Sequence, residues 1–347
     1  MNSNHWSEFE YSKHKLLLHG NKMAQIYAVL KGEREYDFYP PISIDLHLTN
    51  LCNLNCEWCT DKSLKVLKVS NKKSNILKLF QYCASNGVGI TIEGGGEPSL
   101  HPDFYEIVRH GSNMGLSMGL ISNGVLDFSD IVCNFNWIRI SIDASTREQY
   151  KVEKGRDLFN KVLDNLRKFN ERRSPEKTHL GVGYVLTTRN ISHILELIID
   201  MDKNGIDYIY IRPVEEAIDI TPSVDELLEL KAKIIKISAQ LRLKPMLVIH
   251  DRYIINNDQL PCVAHSLSTV IRASGEVMLC EKRRHDPIVL GNISESSFED
   301  IWLSEKRRSV TKRLLSPKEQ DGCNVCRVTS FNQIFCKTNV IHTKHFI

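Results

Sequence analysis

The sequence has no apolar run that approaches the ~20 residues of a membrane-spanning helix, which excludes a helical membrane span. Its first residues, Met1 to Trp6, lack the basic and apolar regions of a secretory signal, so the expected compartment is the cytoplasm. An excess of one charge is missing too: 45 Lys and Arg stand against 42 Asp and Glu, a formal net charge of +3. The basic clusters Lys282-Arg283-Arg284 and Lys306-Arg307-Arg308 are short and far apart, and read as solvated faces rather than a nucleic-acid track. Internal repeats, low-complexity tracts and long Gly/Ser linkers are also absent, which excludes solenoid and linker-rich architectures.

Cysteine, by contrast, is plentiful. Ten cysteines in 347 residues imply metal or catalysis rather than disulfides in a reducing compartment. Three stand in Thr49-Asn50-Leu51-Cys52-Asn53-Leu54-Asn55-Cys56-Glu57-Trp58-Cys59, a C-x3-C-x2-C run. A structural zinc site would show a fourth ligand close by, and none follows. Three thiolates holding a four-iron cluster leave one iron open to a substrate or cofactor. A zinc or redox site of similar spacing is the alternative on this run alone.

With 42% hydrophobic residues, the chain can bury a barrel-sized α/β core and a smaller module. Apolar runs near 42–48, 88–92, 116–121, 137–142, 180–187 and 207–212 read as strands. Helical spacing near 73–85, 103–113, 157–170 and 190–203 separates them, which calls for a parallel sheet with crossover helices. Helices are also expected at 12–32 and 223–240. A parallel strand covered on both faces should be almost continuously apolar, yet Ser43, Asp45 and His47 alternate with Ile44 and Leu46. Thr91 and Glu93, then Arg139, Ser141 and Asp143, then Tyr208, Tyr210 and Arg212, repeat the pattern. These alternations predict a polar barrel lumen; antiparallel strands with one wet face are the alternative.

At the cysteine run the chain resembles the radical S-adenosylmethionine (SAM) superfamily. The resemblance implies an α/β fold, a partial (β/α)6 TIM-like barrel, with Cys52, Cys56 and Cys59 holding a SAM-binding 4Fe-4S cluster. It also implies reductive cleavage of SAM to a 5'-deoxyadenosyl radical, with the electron coming from a donor such as flavodoxin or ferredoxin. Glu93-Gly94-Gly95-Gly96-Glu97-Pro98 resembles the family's GGEP turn, in which Gly94, Gly95 and Gly96 let backbone approach SAM and Glu97 accepts from its ammonium group. Asn123, Ser141 and Asp143 match positions that line SAM, though a turn and a capped strand end are equally open readings. Asn190 could be a helix N-cap and nothing more.

Cys262, Gly275 and Cys280, in the form C-x12-G-x4-C, are followed by Cys323-x2-Cys326. This resembles the small α+β SPASM or Twitch extension of the superfamily and implies a second, auxiliary 4Fe-4S cluster on Cys262, Cys280, Cys323 and Cys326; four thiolates on zinc are the alternative. Cys336 is a spare thiol, a swapped ligand or a hydrogen donor, and Cys83 and Cys133 are expected in the core. The expected domains are an N-terminal helical extension at 1–40, the barrel at 41–240 and the auxiliary module at 241–347. Only about forty residues precede the barrel, short of the ~80 of a peptide-recognition domain. The expected substrate is therefore a small polar molecule, a sugar, cyclitol or nucleotide sugar, held by Arg139, Tyr210 and Arg212 and oxidised, epimerised or dehydrated. The alternatives are a peptide maturase and, more remotely, a non-catalytic iron-sulfur or zinc protein. No nucleic-acid or membrane partner is expected.

Overall fold

The computed structural model describes residues 15–215, 217–247, 260–316 and 328–338. The alternating segments form β1 (Ser43–Leu46), β2 (Gly89–Ile92), β3 (Met118–Ser122), β4 (Trp137–Ser141), β5 (His179–Leu186) and β6 (Tyr208–Pro213). All pair in parallel, in chain order. The antiparallel alternative is thereby excluded.

Helix α1 (Gly20–Leu30) precedes the sheet and is shorter than the segment expected at 12–32. The crossovers run through α2 (Lys73–Asn86), α3 (Phe104–Asn113), α4 (Arg147–Lys154) with α5 (Phe159–Arg172), α6 (Ile194–Lys203) and α7 (Val224–Ser238). In α2, Ile76, Leu79, Phe80 and Cys83 recur at helical spacing and are buried. The helix stops at Gly87, whose φ of +64° suits a residue without a side chain. Helix α7 opens on a capping box between Ser223 and Glu226.

Strand faces follow the alternation. Ile44, Leu46, Ile90, Ile92, Ile138, Ile140, Ile209 and Ile211 point outward beneath the helices and are buried to 2% exposure or less. Each such side chain contributes about 1.5–3 kcal/mol by leaving water. Their alternates on β1, β4 and β6 are half-buried and face inward. Two inward glycines make space for aromatic rings: a methyl group at Gly119 would lie 2.1 Å from Trp137, and one at Gly181 would lie 2.3 Å from Tyr208. These two rings stand at the starts of β4 and β6, on the faces that carry Arg139 and Tyr210.

The sheet continues beyond the expected barrel. β7 (Lys244–Leu247) extends it in parallel from β6, and β8 (Ser268–Ile271) pairs in parallel with the free edge of β1. β9 (Glu276–Met278) and β10 (Val289–Asn292) complete a ten-stranded sheet in the order β10-β9-β8-β1-β2-β3-β4-β5-β6-β7. The boundary expected at 240/241 thus falls inside the sheet, because β7 and β8 bring the backbone donors and acceptors that the outer strands need. Helices α8 (Phe298–Trp302), α9 (Glu305–Leu314) and α10 (Thr329–Thr338) follow. Tyr27 of α1 meets Phe335 of α10 edge-on at 5.5 Å, so a small second core joins the two ends of the described chain.

Among the remaining cysteines, Cys83 is in the core as expected, but Cys133 is exposed, its Sγ bonded to the Arg172 carbonyl. It sits in a 3₁₀ helix, Ser129–Asn134, where only Ile131 and Val132 turn inward. Cys336 lies on α10 with its Sγ 3.6 Å from the Pro261 carbonyl, beside Cys262.

Candidate functional site

The three-cysteine loop leaves the C-terminal end of β1, where parallel strands place their variable loops. Thr49 shapes its entry, with Oγ1 accepting from the Leu51 amide at 3.1 Å and sharing a 2.7 Å bond with Ser70. The Asn55 amide donates to the Lys154 carbonyl at 3.0 Å, and Trp58 Nε1 donates to the buried Glu153 at 2.9 Å. Cys52, Cys56 and Cys59 are half-buried free thiols on this braced loop. Burial pushes the Cys56 thiol up, with the Lys154 ammonium acting against it. Burial likewise lowers Lys65, but the Cys59 and Cys52 sulfurs more than offset it and hold it above its usual value. Three thiols with two ammonium groups beside them suit a cluster whose thiolate ligands carry negative charge.

The glycine turn is pressed against this loop. A methyl group at Gly96 would lie 2.1 Å from the Leu51 carbonyl oxygen, and one at Gly94 would lie 2.3 Å from His47 Nε2. The Glu97 amide donates to Leu51 O at 2.6 Å. The glycines therefore permit close approach between the turn and the cysteine loop. Glu97 is held within the same turn. Its Oε1 accepts from the Ser99 amide and hydroxyl and from Ser122 Oγ, and its Oε2 accepts from the Asn123 amide at 2.7 Å. Three of these bonds fall on Oε1 and one on Oε2, so Oε2 keeps an acceptor position. Asn123 in turn donates to Asn53 inside the cysteine run, at 2.7 Å, and accepts from Val125.

Asp143 is similarly engaged. It is a non-glycine residue with a φ of +60°, its carboxylate paired with buried Lys154 and accepting from the Val185 amide at 2.6 Å. Asn190 is more than an N-cap: its side chain bonds the Asp143 and Val185 carbonyls and the Thr187 amide. Among the buried side-chain polar atoms without a partner in the described residues are His47 Nδ1, Asn50 Oδ1 and Tyr150 Oη. All three are buried in or near the cluster loop and glycine turn, so the residues present fit a polar ligand beside the thiols. Burial lowers the pKa of His47 and keeps its imidazole neutral near pH 7.

The lumen is a cavity of about 200 Å³, open to solvent. Arg139, Ser141, Asp143, Tyr210 and Arg212 all line it, so the structure brings the lumen residues together. The Arg139 guanidinium stacks 4.4 Å from the Tyr210 ring centre and makes no ion pair among the described residues. Arg212 pairs with Glu215 at 3.2 Å. Toward β1 and β2 the lining turns acidic: carboxylate oxygens of Asp45, Glu93 and Glu281 lie within 4.8 Å of one another.

Sequence reasoning missed Asp61. It lies two residues past Cys59, and its carboxylate accepts from Arg284 Nε at 2.9 Å and from the Gly95 amide at 3.1 Å. One side chain thus joins the cysteine loop, the glycine turn and the segment after Cys280. Its only sequence signal was a carboxylate next to a ligand motif. Of the expected auxiliary ligands, Cys262 is buried on a backbone bond to Leu314 and Cys280 is half-buried after β9; Cys323 and Cys326 lie outside the described residues.

Residues 46–201 match the profile of the Radical SAM superfamily, and residues 262–327 match the SPASM iron-sulfur cluster-binding domain. Over 342 residues the chain is 24% identical to the tungsten-containing aldehyde ferredoxin oxidoreductase cofactor-modifying protein of Pyrococcus furiosus, covering 83% of this chain and 90% of that one. It is 22% identical over 314 residues to the mycofactocin maturase MftC of Mycobacterium tuberculosis, covering 82% and 75%. Among solved structures, SuiB of Streptococcus suis bound to precursor peptide SuiA superposes with a TM-score of 0.66 at 16% identity, covering 90% of this chain and 76% of SuiB.

Proposed function

We propose that this chain, which belongs to the radical SAM superfamily and carries a C-terminal SPASM domain, is a maturase that modifies a residue of a peptide substrate. The observation that carries this reading is the likeness to a maturase along most of the chain, and the shape of the lumen agrees with it. The cavity opens to solvent, so a side chain can enter from a peptide lying across the strand ends.

When bound, a reduced 4Fe-4S cluster and SAM supply a 5'-deoxyadenosyl radical that abstracts a hydrogen atom from the substrate. Cys52, Cys56 and Cys59 hold that cluster. Lys65 and Lys154 offset its negative charge. Glu97 and Asn123 act on the SAM site by fixing the turn and the cysteine loop to each other, and Ser141 faces the ligand directly. Arg139 and Tyr210 hold an anionic or amide group of the substrate, while Asp45, Glu93 and Glu281 face its donors. Cys262, Cys280, Cys323 and Cys326 would hold an auxiliary cluster, and the electron for the first would come from an external one-electron carrier of the flavodoxin or ferredoxin type.

Reconstitution under strict anaerobiosis with SAM, a reductant and short peptides encoded beside the gene tests the proposal. A change in peptide mass coupled to 5'-deoxyadenosine release is expected. Coupled turnover of a nucleotide sugar or cyclitol, with no change in any peptide, would overturn it. That second reading, a small polar substrate, draws on the polar lining of Arg139, Tyr210 and Arg212 and on the Pyrococcus relative, which is named for modifying a cofactor.

A further inference from the structure

We propose that the excursion between Cys59 and Asn71 is the docking surface for an acidic one-electron carrier, a flavodoxin or ferredoxin, and this rests on the radical SAM reading above. From Lys62 to Ile92 the sequence contains no Asp or Glu, and six lysines fall between positions 62 and 78. The excursion leaves the cysteine loop at Cys59 and returns beside it. The Asn50 amide donates to Val69 O at 2.8 Å, Thr49 bridges Ser70, and the Asn71 amide donates to Leu48 O at 2.8 Å. Both ends are therefore pinned to the segment that carries the three thiols.

Between the pins lies a 3₁₀ helix, Leu64–Leu67, that buries Leu64 and turns Val66 and Leu67 outward, 78% and 60% exposed. Around this apolar tip Lys62, Lys68 and Lys72 are exposed, and none makes an ion pair among the described residues. Lys73, by contrast, is occupied by Asp103 and Glu106. Lys68 holds the left-handed backbone region at φ +45°, a conformation unfavourable for a non-glycine residue. Lys65 is half-buried, its ammonium near the Cys59 and Cys52 sulfurs. One short helix thus places a cation beside the cluster ligands and shows an exposed apolar pair flanked in sequence by exposed lysines.

That continuity selects the occupant. An apolar centre with a charged rim is the composition of a protein interface, and the rim complements the negative surface of such a carrier. Cations also speed the encounter of oppositely charged partners. Contact with the ligand loop shortens the path of the electron. The carrier gives up one electron and the oxidised cluster gains it; no bond forms or breaks in either partner.

Calorimetric titration of oxidised flavodoxin into the reconstituted enzyme, repeated at rising salt, reads binding without turnover. Deoxyadenosine formation is followed in parallel, driven by flavodoxin with its NADPH-dependent reductase or by dithionite. The triple variant Lys62→Glu, Lys68→Glu, Lys72→Glu should bind flavodoxin about tenfold or more weakly and lose flavodoxin-driven cleavage to a similar extent, with the dithionite rate unchanged. Val66→Ser with Leu67→Ser should weaken binding at every salt concentration. Unchanged affinity, or an equal loss from Lys306→Glu with Lys312→Glu on α9, would overturn the surface assignment. So would loss of the dithionite rate in the triple variant, which would make the loop a support for the cluster. Lysine-dependent binding of single-stranded RNA or anionic vesicles without binding of flavodoxin would reassign the patch. A wild-type enzyme that releases no deoxyadenosine with either reductant would remove the radical SAM reading itself, and the proposal with it.

Discussion

Asp61 accepts a 2.9 Å bond from Arg284 and so ties the segment after Cys59 to the segment after Cys280. Burial raises the Asp61 pKa, but the bond from His285, the Arg284 charge and His47 more than offset it and hold the carboxyl well below the usual range. Asp61→Asn keeps the shape and leaves buried Arg284 with Glu281 alone. The expected loss is about 2–4 kcal/mol, read as a lower unfolding temperature together with faster loss of iron. Because the folded carboxyl titrates below its unfolded value near about 4, the stabilisation is complete above that pH and is lost as pH falls through the folded pKa. The gap between wild type and variant should therefore close in acid. Equal unfolding temperatures at neutral pH would show that the latch contributes nothing.

Loss of one thiol should be decisive for the first cluster. Cys56→Ala should abolish deoxyadenosine release under excess dithionite, since two thiolates cannot hold three irons of a cluster and leave the fourth open. Release at the wild-type rate would refute the assignment of Cys52, Cys56 and Cys59.

The glycine turn and a solvent-facing glycine give a matched pair. At Gly96 an added methyl group meets the Leu51 carbonyl at 2.1 Å, whereas at Gly87 nothing lies within 4 Å. Gly87→Ala should cost about 1–2 kcal/mol, from its left-handed backbone alone. Gly96→Ala should cost more and should weaken SAM binding, measured by equilibrium dialysis of the reconstituted enzyme. Equal effects at the two sites would show that the contact yields.

In the lumen, Arg139→Gln should leave peptide-independent SAM cleavage within about twofold of wild type while lowering product formation by tenfold or more, a loss of about 1.4 kcal/mol in transition-state stabilisation. Tyr210→Phe keeps the ring under Arg139 and should act more mildly. If Arg139→Gln instead unfolds the protein, the stacked pair is a structural element and not a substrate contact.

Alkaline pH probes the opposite end of the molecule. Lys22 is buried with Asp37, and Arg307 stands nearby at 3.1 Å from the Asp37 carbonyl. Burial, with a smaller contribution from Arg307, lowers the Lys22 pKa to about 8 despite Asp37. Its unfolded value is near 10.5, so the charged form is penalised in the fold; the penalty is complete below about 8 and absent above about 10.5. Wild-type stability should rise across that window relative to Lys22→Met, by at most about 3 kcal/mol. Parallel pH profiles would place the lysine in solvent contact.

Period-two alternation made the barrel legible. In Ser43 to Leu46 and Trp137 to Ser141 each side chain declares its face, and burial follows that declaration. The cysteine run was legible because all its ligands are local. What the sequence could not show are relations over long separations: Asp61 with Arg284, Glu153 with Trp58, and β8 with β1. Helix α4 escaped because it is short and only Tyr150, Glu153 and Lys154 turn inward, two of them charged. Cys133 misled because its apolar neighbours bury themselves through a threefold turn that leaves it outside. Glu97 illustrates a different limit: spacing located the carboxylate, but its bonds to Ser122 and Asn123 are made by groups that only the folded turn assembles.

The pairing of β8 with β1 sets an order of events during synthesis. Residues 43–46 leave the ribosome early, while residues 268–271 follow more than two hundred residues later, about 10–45 s at ordinary elongation rates. Throughout that interval one edge of β1 has no neighbour and Asp61 has no Arg284. The cysteine loop is consequently unlatched while most of the barrel is already made, and it is accessible to machinery that delivers iron and sulfide. Arrival of the C-terminal third then seals the edge and clamps the loop in one step. Nascent chains stalled before residue 268 should accordingly be cut by protease within the cysteine loop, and chains released after residue 290 should resist.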